Sequence, residues 1–173
     1  LTKGLEQAGI NVVAGLDFEP SCQYAYEKNN NAKFIQRDIT TVTPEELSAL
    51  YPDNHDIHIL AGCAPCQPFS KYTQRYRKAG YKDEKWRLLY SFGGLAQAIH
   101  PEIIAMENVP ELEKTAVFSD FENGLKDHGY HIFHKIVYCP DYGIPQSRKR
   151  LVLLASSLDE ISLLPATHSH SNY

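Results

Sequence analysis

Short apolar segments alternate with helical segments along this chain, and this alternation constrains its fold more than any other feature. The hydrophobic pattern predicts strands at residues 11–16, 32–35, 55–61, 102–106, 131–138 and 150–155. Helical periodicity or helix-starting residues lie at 1–8, 21–29, 43–46, 86–100 and 115–128. Strands that alternate with helices are typical of an α/β protein with a mostly parallel, doubly wound sheet. The last two predicted strands are joined by a loop too short for a helix, so they should form an antiparallel hairpin.

The composition indicates a folded domain without a membrane partner. The chain has 173 residues, of which 43% are hydrophobic and 22% charged, and this suits one domain with a sizeable core. The formal net charge of −4 argues against a generally basic nucleic-acid coat but leaves a local basic patch open. No apolar run approaches the roughly 20 residues that span a bilayer. The four cysteines have no framework spacing, which predicts reduced thiols and a cytoplasmic protein.

The most informative motif is P-C-Q-P-F-S at residues 65–70, directly after a predicted strand. Prolines at positions 65 and 68 fix φ and prevent regular pairing, so the chain must leave the sheet as a stiff loop. A thiol on this loop lies at the carboxyl end of a strand, where open α/β sheets bind their ligands. The position therefore favours a reactive thiol at Cys66 over a buried packing cysteine.

Cys66 also forms a CxxC pair with Cys63, and three interpretations of this pair stay open. A redox disulfide would be followed by a helix, which Pro68 disfavours. A zinc site would need two more ligands, and His55 and His58 should lie on opposite faces of their strand. A nucleophilic cysteine needs only Cys66 and activating groups from elsewhere in the chain. The other motifs have to decide among these interpretations.

An acidic residue and an amide follow the next strand along the chain, predicted at residues 102–106. Glu107 lies one strand–helix unit after the cysteine loop, where a carboxyl group can act as a general acid or hold a heteroaromatic ring by hydrogen bonds. Asn108 can bond the loop backbone and fix the turn. The alternative is an ordinary helix N-cap followed by a proline-terminated turn.

The third motif is Q-S-R-K-R at residues 146–150. Strand alternation should send Gln146, Arg148 and Arg150 to one side as the last strand begins. Two parallel guanidinium groups suit a phosphate, a carboxylate or a ring carbonyl oxygen. The alternative is a solvated basic edge strand.

Acidic residues also lie at the ends of the first two strands, where Asp17 precedes Phe18 and Asp38 precedes Ile39. A carboxylate at such a strand end can accept hydrogen bonds from ribose hydroxyls, and Phe18 can stack on an adenine. The alternative is a pair of turn-forming aspartates and a core phenylalanine. The chain contains no glycine-rich phosphate loop.

Taken together, these residues resemble the cytosine carbon-5 methyltransferase family. Residues 65–70 are similar to its nucleophile motif, residues 107–109 to its E-N-V motif and residues 146–150 to its Q-x-R-x-R motif, in the family's order. The resemblance covers essentially the whole chain and implies a Rossmann-like, S-adenosylmethionine-dependent methyltransferase fold. It also implies that residues 1–173 are a single but partial catalytic domain, with the first cofactor loop and the target-recognition domain outside it.

The resemblance implies a DNA (cytosine-5-)-methyltransferase that transfers a methyl group from S-adenosylmethionine to a cytosine flipped out of double-stranded DNA. It makes Cys66 the nucleophile and places Glu107 on the ring nitrogen and exocyclic amine of the cytosine. Arg150, with Arg148, would bind the ring carbonyl and order Glu107.

The resemblance also implies a set of cofactor contacts. Asp17 and Phe18 match the ribose and adenine contacts, Asp38 and Ile39 match the contacts to the far edge of the adenine, and Pro65 belongs to the same set. No metal ligand is implied.

Three alternatives remain at this point: methylation of tRNA, a non-catalytic or partner-requiring subunit, and a thiol–disulfide enzyme that uses Cys63 and Cys66. Basic residues interleaved with tyrosines at residues 71–85 favour contact with nucleic acid. We expect a monomer, and we expect target recognition to come from a complementing chain or from a domain outside residues 1–173. We also expect a cytoplasmic location in a bacterium or a nuclear one in a eukaryote, and a role in restriction-modification or in regulatory DNA methylation.

Overall fold

The computed structural model describes residues 1–53, 57–64 and 86–168 of the chain. The chain divides into two compact units, Leu1–Asp56 and Ile57–Tyr173. In each unit a pair of parallel strands is present, which agrees with the predicted α/β class. In the described ranges, no helix is both long and apolar enough to cross a membrane.

The first unit is built around two parallel strands. Strand β1 (Ala14–Asp17) pairs with β2 (Lys33–Gln36), and helix α2 (Cys22–Asn29) connects them. Helix α1 (Thr2–Gln7) precedes β1, and helix α3 (Pro44–Ser48) follows β2. Helix α3 begins as predicted, because Thr43 and Glu46 form a reciprocal capping box around Pro44, which satisfies donors at the helix start.

The second unit contains four strands and two long helices among its described residues. In chain order these are β3 (Ile59–Gly62), α4 (Arg87–Ile99), β4 (Ile103–Asn108), α5 (Ala116–Asp127), β5 (His131–Tyr138) and β6 (Lys149–Ser156). The strand order in the sheet is β3-β4-β6-β5. Strands β3 and β4 are parallel, whereas β6 is antiparallel to both β4 and β5. The predicted antiparallel hairpin is therefore confirmed.

The core of the second unit lies between one face of this sheet and the two long helices. Alternate residues of β4 and β6 are buried, as expected for strands with one covered face. The apolar stripes of α4 and α5 pack together through Phe92 and Phe121, whose rings stack with their centroids 5.9 Å apart. A Cβ atom at Gly62 would lie only 2.6 Å from the Phe92 ring, so the end of β3 needs a glycine for this close packing.

Candidate active site

The carboxyl end of β4 carries the two polar residues of the E-N-V motif. Strand β4 runs two residues further than the sequence predicted, because its ladder with β6 continues to the pair Asn108–Leu151. Glu107 and Asn108 therefore project from the strand itself, on opposite faces.

Glu107 forms an ion pair with Arg150 of the neighbouring strand. The Arg150 Nε atom lies 2.5 Å from the Glu107 Oε1 atom. Glu107 is directly opposite Val152, so Arg150, two residues away on β6, is its diagonal neighbour on the same face. The Arg150 side chain is 19% exposed and that of Glu107 is 35% exposed. The arginine is thus largely covered, while the carboxylate remains open to a ligand.

Asn108 points to the buried face and binds the chain that leaves β3. Its Nδ2 atom donates to the Ala64 carbonyl at 3.0 Å, and its Oδ1 atom accepts from the Val109 N–H at 2.9 Å. The residue is only 4% exposed, so both groups are satisfied inside the protein. The expected bond from Asn108 to loop backbone is confirmed. The short 3₁₀ helix that follows at Pro110–Lys114 takes Val109 as its N-cap, and not Asn108.

The predicted nucleophile lies just beyond this bond. Ala64 is followed by Pro65 and Cys66, and both lie outside the described residues, as does the basic and tyrosine-rich segment at 71–85. The role predicted for Cys66 and the cofactor contact predicted for Pro65 therefore stay predictions.

Cys63, the first cysteine of the CxxC pair, lies beside Glu107. Strands β3 and β4 are in register at Gly62 and Met106, so the next residue of each, Cys63 and Glu107, are neighbours. Burial of the thiol, its hydrogen bond to the Glu107 side chain and the negative charge there raise the pKa of Cys63 to about 11. The sequence had offered Cys63 only as a redox or zinc candidate. Within the described ranges, no three His, Cys, Asp or Glu side chains are grouped to hold a metal.

Arg148 precedes the strand that carries Arg150. Strand β6 begins at Lys149, so Gln146 and Arg148 precede it, and strand alternation does not extend to them. The role predicted for Arg148 stays a prediction. The backbone carbonyl of Arg148 accepts a hydrogen bond from the Cys139 N–H at 2.8 Å, just beyond the end of the β5–β6 ladder. Its side chain is exposed. Among the described residues, the Glu107 carboxylate pairs with Arg150 and not with Arg148.

Four of the five predicted cofactor residues lie in the first unit, at or shortly after the ends of β1 and β2. Asp17 is the last residue of β1 and pairs with Gln36 at the end of the parallel strand β2. Asp17 Oδ1 accepts from the Glu19 N–H at 2.9 Å, and Asp38 Oδ1 accepts from the Thr40 N–H at 2.9 Å. Both aspartates thus form the local turns that were the alternative interpretation.

Phe18 is not the core phenylalanine of that alternative, because it is 65% exposed. An exposed aromatic ring beside an exposed carboxylate suits a nucleoside, which needs a stacking surface and acceptors for its hydroxyls. Ile39 begins a short 3₁₀ helix that Asp38 caps.

A family model described as C-5 cytosine-specific DNA methylase matches residues 1–173. The chain belongs to this family. The methylase-family chain is 49% identical, over 176 residues, to the Type II methylase M.HgiDII of Herpetosiphon aurantiacus, covering 100% of the chain and 48% of that protein. It is 29% identical over 154 residues to the Type II methyltransferase M.FnuDI of Fusobacterium nucleatum, covering 87% of the chain and 42% of that protein. The chain thus spans about half the length of the curated relatives it matches.

Solved structures share the fold of this methylase-family chain. The Dnmt2 methyltransferase of S. pombe superposes with a TM-score of 0.72 at 22% identity, covering 93% of the chain and 47% of that structure. The Entamoeba histolytica methyltransferase EhMeth superposes with a TM-score of 0.67 at 24% identity, covering 92% and 50%. The family and the methyltransferase fold predicted from the motifs are therefore both confirmed.

Proposed function

We propose that this chain is the catalytic part of a DNA (cytosine-5-)-methyltransferase, which methylates carbon 5 of a flipped cytosine through a covalent Cys66 adduct. The family membership supports this proposal over the tRNA alternative, because the matching family and the curated relatives named above are DNA methylases or Type II methylases.

The observation that carries the proposal is the Glu107–Arg150 pair at the carboxyl end of β4. The pair lies one strand away from Ala64, which Asn108 holds at the start of the segment that leads to Cys66. A carboxylate that is oriented by an arginine and still open to solvent suits hydrogen bonding to the edge of a pyrimidine ring.

The proposed chemistry gives each residue a separate task. Carbon 5 of cytosine is a poor nucleophile, so the Cys66 thiolate adds to carbon 6, forming an S–C bond and moving the C5=C6 electron pair towards carbon 5. As negative charge accumulates on the ring during the addition, Glu107 acts as general acid and gives a proton to the ring nitrogen, while its other oxygen accepts a hydrogen bond from the exocyclic amine. After methylation a base removes the proton from carbon 5, the C5=C6 bond re-forms and Cys66 leaves as a thiolate.

The residues of the first unit that fit S-adenosylmethionine are Asp17 and Phe18, with Asp38 and Ile39 near the same sheet edge. When bound, this cofactor supplies a methyl group activated by a sulfonium. Asp17 accepts hydrogen bonds from the ribose hydroxyls, and Phe18 covers the adenine. Pro65 completes the set that the resemblance implied.

Double-stranded DNA is the proposed substrate. A stacked base hides both faces of its ring, so the target cytosine must leave the helix, at a cost of a few kcal/mol. We propose a monomer in the cytoplasm that acts in restriction-modification, with target recognition supplied by a further part of the protein or by a complementing chain.

The test is covalent trapping by the full-length protein. Duplex DNA with 5-fluorocytosine and S-adenosylmethionine should yield an adduct that survives denaturing electrophoresis, because the fluorine at carbon 5 cannot leave as a proton. Cys66→Ser should abolish the adduct, and Glu107→Gln should slow its formation by about a hundredfold or more. The matched control is Cys22→Ser, which replaces an exposed thiol and should trap DNA as the wild-type protein does.

Three results would contradict the proposal. If tRNA that contains 5-fluorocytosine is trapped and the corresponding DNA is not, the tRNA alternative is established. The absence of any adduct with either substrate would favour the non-catalytic subunit. An adduct that persists in Cys66→Ser would place the nucleophile elsewhere.

A further inference from the structure

The Glu107 carboxylate has a second neighbour besides Arg150. The parallel register of β3 and β4 at Gly62 and Met106 places Cys63 beside Glu107. Besides burial of the thiol, interactions with the Glu107 side chain and with the Glu107 backbone N–H are among the influences on the raised pKa of Cys63.

These contacts reach Glu107 from both sides of its strand. Strand β4 lies between β3 and β6, with Cys63 following β3 and Arg150 lying on β6. A side chain with donors on both flanks has fewer accessible rotamers than a side chain with one ion pair, because each bond restricts a different direction.

We propose that Cys63 is a positioning residue for Glu107: its S–H donates to the carboxylate and, with Arg150, holds it in the orientation that meets the target pyrimidine. This inference rests on the proposed function, and it adds a residue to the site that the motifs did not include.

The protonation state of the thiol supports this role. Burial, the hydrogen bond to Glu107 and the adjacent negative charge raise the pKa of Cys63 to about 11. The thiol therefore keeps its proton, and hence its ability to donate, throughout the neutral range. A thiol that stays protonated is a poor nucleophile, so the same arrangement disfavours the redox role of Cys63 that the CxxC spacing had offered.

The first test compares two substitutions in the full-length protein. Cys63→Ala removes the donor, whereas Cys63→Ser replaces it with a hydroxyl that can donate in the same place. In single-turnover trapping of 5-fluorocytosine DNA, Cys63→Ala should form the adduct about tenfold more slowly than wild type, as expected for one lost hydrogen bond to a charged group. Cys63→Ser should stay within about threefold of wild type on the same grounds.

A matched control separates the donor from thiol packing in general. Cys139→Ala removes a different free thiol, one that is partly buried, and should leave the trapping rate unchanged. Wild-type rates for Cys63→Ala, or equal slowing by Cys63→Ala and Cys63→Ser, would overturn the inference while the proposed function stands. A wild-type protein that traps no DNA would instead overturn the proposed function, and the role of Cys63 with it.

The second test measures the contact without any turnover. In a Cys66→Ser background, alkylation of Cys63 by iodoacetamide is followed against pH by peptide mass spectrometry. Adding Glu107→Gln removes the negative charge that opposes ionisation, so the midpoint should fall and alkylation at pH 8 should rise by about tenfold or more. An unchanged midpoint would overturn the inference.

Discussion

Asn108 offers the sharpest test of how the site is held together. The substitution Asn108→Asp preserves the shape of the side chain but replaces its amide donor with an oxygen. In the native protein that donor lies 3.0 Å from the Ala64 carbonyl, so the substitution brings two acceptors face to face. The bond from the Val109 N–H to Oδ1 can persist, which confines the change to the strand–loop contact.

The expected cost follows from burial and from the lost bond. An unsatisfied buried carbonyl costs about 1–3 kcal/mol, and at a site that is 4% exposed the new carboxyl must either ionise unfavourably or stay protonated. A protonated carboxyl can donate to Ala64 and restore the bond. The folded-state pKa of the new group should therefore lie above its unfolded value, so its penalty is small at acid pH and grows as the pH rises. We expect the free energy of unfolding to fall by about 3 kcal/mol at pH 8, which corresponds to about two pKa units, and by less than about 1 kcal/mol at pH 4.

Urea unfolding at both pH values, with the wild-type protein measured alongside, checks this expectation. The single tryptophan, Trp86, lies next to helix α4 in the same unit as Asn108, so its fluorescence reports on the relevant part of the chain. The matched control is Asn123→Asp on the exposed face of α5, which should change the free energy of unfolding by less than about 0.5 kcal/mol. A loss for Asn108→Asp that is equal at the two pH values would refute the proposed donor–acceptor clash.

Two further predictions concern the strands that carry the site. Burial acts to raise the pKa of Glu102, but hydrogen bonds from backbone N–H groups, including that of His58 at 2.6 Å, lower it overall. Its stabilisation is therefore present above the unfolded pKa and lost as the pH falls, so Glu102→Gln should cost about 1 kcal/mol at pH 7 and almost nothing below about pH 3 in urea titrations. Gly62→Ala should lower the free energy of unfolding by about 1–3 kcal/mol in the same assay, because the new methyl group meets the Phe92 ring. Gly94→Ala is the control, at an exposed helix position where a Cβ would have no atom within 4 Å, and it should raise the free energy of unfolding by up to about 1 kcal/mol. Equal decreases in the free energy of unfolding for both substitutions would contradict the packing explanation.

The element types could be predicted from local patterns, whereas several strand ends could not. Strand β5 occupies the predicted residues His131–Tyr138, since its own alternation and the positive-φ Gly129 mark its start. Strand β4 instead extends through Glu107 and Asn108, which by their residue types belong in a loop. The extension comes from pairing with β6, a long-range contact that overrides local preference. The start of β6 at Lys149 is likewise decided by a long-range contact, its pairing with Tyr138 of β5, so strand alternation does not extend to Gln146 and Arg148.

The contact between Cys63 and Glu107 shows what kind of information the sequence pattern lacked. Alternation predicts the face of a strand to which a residue points, but a shift of one residue in register reverses that face relative to the neighbouring strand. The motifs could therefore place Glu107 and Cys63 at one sheet edge without deciding whether they touch. The observed alignment of Gly62 with Met106 decides both contacts at once, since it puts Cys63 beside Glu107 on one face and Ala64 beside Asn108 on the other. The spacing alone offered Cys63 as a redox or zinc candidate, whereas the register makes it the proposed hydrogen-bond donor to the candidate catalytic carboxylate.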